Sequence, residues 1–76
     1  MLKWTADEYQ VETARWGKFD LTIEPPNDFF PCEWYWKVKP RQGKYTVSGF
    51  TSTYNAAKRA ALRMARFMAG RQKEER

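Results

Sequence analysis

The hydrophobic period of this chain changes once, near Ser52, and that change limits the folds open to it. Ahead of Ser52 the apolar residues recur at every second position, as in half-buried strands. Behind it they recur every third or fourth position in an alanine-rich segment, as in an amphipathic helix. Tyr9, Val11 and Thr13 alternate with Gln10 and Glu12. Phe19, Leu21 and Ile23 alternate with Asp20, Thr22 and Glu24. Trp34, Trp36 and Val38 alternate with Tyr35, Lys37 and Lys39, and Tyr45, Val47 and Gly49 with Lys44, Thr46 and Ser48.

The connections are short. Arg15-Trp16-Gly17-Lys18 reads as a turn in which Gly17 supplies positive φ. Pro25-Pro26-Asn27-Asp28 ends the second strand, because proline cannot continue a ladder. Pro40-Arg41-Gln42-Gly43 reads as a tight turn. Short links between consecutive strands make an antiparallel meander the simplest topology. Residues 1–8 fit either a short helical turn or a disordered lead.

Ser52 is the expected N-cap, Thr53 to Ala69 the helix and Gly70 its C-cap, giving a helix of ~25 Å. At 100° per residue Ala56, Ala57, Ala60, Ala61, Met64, Phe67 and Met68 share a face that must pack on the sheet. Residues 71–76 read as a frayed tail. The expected fold is α+β: a four-stranded antiparallel sheet, a meander, with one C-terminal helix packed on one face, the whole of 1–76 forming a single small domain. Its expected core is Phe19, Leu21, Ile23, Trp34, Trp36, Val38, Met64 and Phe67. A chain of 76 residues buries only about 60% of its unfolded surface, so it needs large side chains, and 17% of its residues are aromatic.

Composition excludes much chemistry. Histidine is absent, so no imidazole base, His-ligated metal or Ser-His-Asp constellation can form. The lone Cys32 can make neither an internal disulfide nor a CxxC site. No phosphate-binding glycine motif occurs. The expectation is a protein without catalysis, metal, cofactor or small-molecule substrate. No apolar run of about 18 residues occurs and Met1-Leu2-Lys3-Trp4-Thr5 is not a secretory leader. A cytoplasmic location, with no membrane partner, is therefore expected.

Charge is segregated. Residues 1–33 hold three cations against seven carboxylates, whereas residues 34–73 hold ten cations and no carboxylate; the net charge is +5. Such a block projects a positive field and favours an anionic partner, unless the acidic and basic halves neutralise each other across the sheet. On the wheel Lys58, Arg59, Arg63 and Arg66, with Leu62 among them, face away from the expected core. Like charges at these spacings repel by a few tenths of a kcal/mol per pair, which an anionic partner would offset. Tyr35, Lys37, Lys39 and Lys44 form an aromatic and basic strip suited to phosphate contact and base stacking, as well as an ordinary solvated strand face. Phe29 and Phe30 are adjacent aromatics in a loop: they either close an end of the core, the reading so small a core favours, or stand out as an anchor.

The order Trp34-Tyr35-Trp36-Lys37-Val38, Gly43, Ser48-Gly49, Ser52 and Ala56-Ala57-Lys58 resembles small accessory proteins of phages and prophages. The resemblance spans residues 16–69. It implies a stoichiometric inhibitor of host machinery, of which anti-CRISPR proteins are examples. The basic alanine-rich helix after two strands is also similar to the end of a double-stranded-RNA-binding domain. This chain lacks that family's first helix and its Gly-x-Gly-x-Ser-Lys-Lys entry. Two functions are thus expected. One is a phage-type protein that binds and blocks a host nucleoprotein machine with an acidic surface, in the host cytoplasm. The other is a module binding DNA or RNA directly through the same basic helix and strand.

Overall fold

The computed structural model describes residues 2–43 and 45–74, with the backbone alone for 71–74. Five strands precede one helix: β1 (Thr5–Ala6), β2 (Glu12–Trp16), β3 (Phe19–Glu24), β4 (Trp34–Pro40), β5 (Val47–Thr51) and α1 (Tyr54–Glu74). The sheet is an antiparallel meander in the order β1-β2-β3-β4-β5, and α1 packs across β3, β4 and β5.

The alternation in β3 has the expected phase. Phe19, Leu21 and Ile23 are buried beneath the helix, and Val38 of β4 joins them opposite Leu21. Gly17 takes φ 60° at the first central position of a two-residue turn, the pattern of a type II′ hairpin. Arg41 braces that turn: its backbone N–H donates to the Lys18 carbonyl at 3.0 Å, and its guanidinium donates to the Gly17 carbonyl.

The sheet has five strands rather than four, and β2 is shifted from its expected phase. Asp7 explains both. Its Oδ1 accepts the backbone N–H groups of Tyr9 (2.8 Å) and Val11 (3.0 Å), and Gln10 adopts φ 63°. This side-chain capture of the backbone makes a local turn, which folds Thr5–Ala6 back onto β2 as β1. Tyr9 is left exposed and β2 begins at Glu12, so that Glu12, Ala14 and Trp16 face the helix and Thr13 faces away. Tyr45 also lies outside its expected strand, since β5 begins at Val47, and it is exposed.

The helix is capped by Thr53, not Ser52: Thr53 Oγ1 accepts the Ala56 N–H at 3.1 Å. It runs through Gly70 to Glu74, so Gly70 is no C-cap, and residues 71–74 continue the helical backbone while 75–76 lie outside the described residues. Its buried row is Ala57, Ala61 and Ala65, all fully buried. Relative to the expected face the helix is rotated by roughly 70°. Methyl-sized residues at i, i+4 and i+8 let α1 lie close over Leu21 and Val38, while Trp16, Trp34, Trp36 and Met64 wrap the flanks, half-buried. Phe67 is carried out of the core by this rotation and is 57% exposed, and Leu62 is carried inward to pack against the core.

Gly49 permits one close approach. A Cβ there would lie 2.8 Å from Cζ2 of Trp36, its cross-strand neighbour, so the indole occupies the space a side chain would take. Gly49→Ala should therefore lower stability by about 1–3 kcal/mol through overpacking. Gly70 is helical and open on all sides, and Gly70→Ala should raise stability by roughly 0.5–1 kcal/mol. Urea melts of the two variants should move in opposite directions; a neutral Gly49→Ala would contradict the indole packing.

Candidate partner-binding surfaces

The row of alanines that faces the sheet fixes what faces solvent. Arg59, Arg63 and Arg66 emerge on the outer side of α1, all exposed. Among the described residues none has a carboxylate within ion-pair distance. With Leu62 they enclose a shallow hollow of about 260 Å³. Leu62 and Arg66 also border a second hollow, of about 300 Å³, with Leu2 and Trp16.

Lys58 does not join this group. Its ammonium lies 3.7 Å from Glu12 Oε1, 4.4 Å from the Tyr54 ring centre and 5.2 Å from that of Trp4. The Tyr54 hydroxyl donates to the same Glu12 oxygen at 2.6 Å. A carboxylate pointing from β2 toward the helix thus has both a hydroxyl donor and a cation, which is why it is tolerated there. Lys58 fastens the helix to β2.

The open face of the sheet is mixed in charge. Cross-strand rows place Arg15 beside Asp20 and Asp20 beside Lys39, with Thr22 beside Lys37 and Glu24 beside Tyr35. Arg15 and Asp20 form a solvent-exposed pair at 3.9 Å. Lys37 and Lys39 are therefore interleaved with the carboxylates of β3, and the expected basic strip is not continuous. Lys44 lies outside the described residues.

The phenylalanine loop does not close the core. Asn27 Oδ1 accepts the N–H groups of Phe29 (2.8 Å) and Phe30 (2.9 Å), which holds the loop on the side of the sheet away from the helix. There Phe30 packs on Phe50 (ring centres 4.8 Å apart) and Phe50 on Tyr35 (5.2 Å). Phe29 projects outward, 86% exposed. The ledge formed by Phe30, Tyr35 and Phe50 was only half visible in the sequence. Phe50, adjacent to the inward Gly49, is an aromatic residue in an outward slot, which is its one signal.

A further groove, not anticipated from the sequence, follows from the rotation of α1. Trp36, Ala60, Arg63, Met64 and Phe67 line about 420 Å³ of mostly apolar space between the helix and Trp36 of β4. Arg63 therefore borders both this groove and the arginine hollow. Among the described residues no three His, Cys, Asp or Glu side chains cluster as a metal site would require, and Cys32 is exposed. No helix among them is long and apolar enough to cross a membrane. No protein-family model, curated protein or solved structure matches the chain.

These positions assign different duties to cations that look alike in the sequence. Lys58→Ala should cost about 1 kcal/mol or more, because it removes the cation–π contacts and the cation of Glu12, leaving that carboxylate only the Tyr54 hydroxyl. Arg59→Ala, Arg63→Ala and Arg66→Ala should each lie within about 0.5 kcal/mol of the parent. Chemical denaturation of the four variants checks the division, which fails if Lys58→Ala is as mild as the arginine changes.

Proposed function

We propose that this chain is a non-catalytic binding protein that docks on an acidic surface of a host protein or nucleoprotein machine, such as a CRISPR effector, and blocks it. The observation that carries the reading is the trio Arg59, Arg63 and Arg66, exposed on one side of α1 and without an ion-pair partner among the described residues. Guanidinium forks bind carboxylates and phosphates bidentately. What lies beside them favours carboxylates of a protein. Leu62 sits within the arginine hollow, and the apolar groove of Trp36, Met64 and Phe67 adjoins Arg63. Protein interfaces combine an apolar centre with arginine in this way. A nucleic-acid module would extend its positive field along the backbone it tracks, whereas the open sheet face alternates lysines with Asp20 and Glu24. The phage-type resemblance supports the same choice.

Charge reversal tests it. Arg59→Glu, Arg63→Glu and Arg66→Glu in one variant should keep the circular dichroism and melting behaviour of the parent, since the three side chains are exposed. A host complex retained by the parent protein should be lost by the variant. Retention of that complex by the variant would refute the arginine surface. If the parent instead shifts isolated RNA or DNA, with a salt slope that falls by about one unit per arginine removed, the partner is nucleic acid.

A further inference from the structure

The sheet is open at β5, the last strand of the order, and among the described residues nothing pairs with its outer side. An unpaired strand edge is a template for another chain, and proteins usually guard it with charge, proline, a bulge or brevity. The β1 edge has only two residues. β5 has none of these guards: Val47-Ser48-Gly49-Phe50-Thr51 is uncharged, lacks proline and pairs with β4 over five consecutive positions without interruption.

Both faces beside this edge are apolar. On the open face Phe50, 44% exposed, carries Phe30 against it. On the helix face lies the groove of Trp36, Met64 and Phe67. Gly49 has no side chain, and the Trp36 indole takes that space, so the indole is the groove wall that meets the edge. In an antiparallel sheet a residue directly opposite Gly49 on an added strand points to the same face as Gly49, about 5 Å away. Its side chain would enter the groove.

The charged residues that the groove and the register set directly beside the edge are cations. Arg63 forms part of the groove, Lys37 stands beside Ser48 on the other face, and residues 34–73 contain no carboxylate. A second copy of the chain would bring the same Arg63 and Lys37, with a net charge of +5, to the same edge across a two-fold axis. An acidic segment meets no such repulsion.

We propose that the outer edge of β5 takes up an extended acidic and apolar segment of a protein partner as a sixth, antiparallel strand. Its central apolar side chain, opposite Gly49, enters the Trp36–Met64–Phe67 groove, and a carboxylate two residues away on the same face meets Arg63. Main-chain hydrogen bonds supply affinity, and the groove and Arg63 select the side chains. This goes beyond the arginine surface, with which it shares only Arg63.

The probe is the heptapeptide acetyl-Thr-Glu-Val-Leu-Val-Glu-Thr-amide, in which Leu and both Glu share one face. Titrated into the ¹⁵N-labelled full chain, it should shift the amides of Val47–Thr51 and the Trp36 indole N–H, and slow amide exchange along β5. N-methylation of one alternate set of its residues should abolish these effects while methylation of the other set preserves them, because only alternate amides of a strand face its neighbour. Replacing both Glu by Lys should weaken binding by about tenfold or more. The proposal is overturned if β5 does not respond, if both methylated peptides bind alike, or if the Lys peptide binds equally well. It is overturned too if β5 signals shift with protein concentration alone, which would give the edge to a second copy. The titration needs no host target, so its failure leaves the arginine surface standing. Conversely, an arginine variant that keeps its host complex leaves the β5 titration to be judged on its own.

Discussion

The structure depends on how closely α1 lies on the sheet. Ala57, Ala61 and Ala65 sit over Leu21 and Val38 with no solvent access. A sheet of five short strands covered by a single helix has no second layer on its other side, so the covered face must exclude water with one contact. Larger residues along that row would raise the helix and open the flanks. With alanine there, the tryptophans and methionines complete the core from the sides, where their size is an advantage. The rotation of α1 follows, and with it the direction of Lys58, Arg59, Arg63 and Arg66.

Strong local periods were legible in the sequence, and so was the turn chemistry. β3 combines strict alternation with a glycine turn before it and two prolines after it, and its phase is as expected. β4 and the existence of the helix followed for the same reason. β1 has two residues and no period, and it exists because Asp7 turns the chain back through its side chain. The same turn moved the start of β2. The expected helix face contains the buried Ala57 and Ala61, but hydrophobicity centres it about 70° away from the observed one. Phe67 and Met64 are the more hydrophobic candidates, but Leu21 and Val38 occupy the centre of the sheet face and leave room only for methyl groups above them. Gly70 does not stop the helix because it lacks the positive φ of a left-handed cap, which among the described glycines only Gly17 has.

The surface was legible to the same degree. Arg59, Arg63 and Arg66 were found together because their spacing keeps them together under any rotation of the helix. Lys58 and Leu62, at the margin of that group, turned inward with the rotation. The lysines of β4 cannot be judged without the register, because Asp20, which stands opposite Lys39, belongs to the preceding strand and is brought beside it only by the pairing. The charge segregation along the chain is partly undone by hairpin pairing, which sets the acidic β3 beside the basic β4. On the helix Lys58 finds such a partner in Glu12, whereas Arg59, Arg63 and Arg66 have none among the described residues, and there the positive charge persists.

The order of the strands has a consequence for how the chain acquires its structure. Each strand pairs with its neighbour in sequence, so the ladder can zip from one hairpin to the next, closing only short loops at every step. The docking of α1 is the one event that joins distant parts of the chain, since Ala57, Ala61 and Ala65 meet β3 from the far end of the sequence. Until then Phe19, Leu21, Ile23 and Val38 on the covered face of the sheet are bare to water. Helix docking supplies the burial that hairpin pairing alone does not, so the segment that follows the strands is the part that commits the rest.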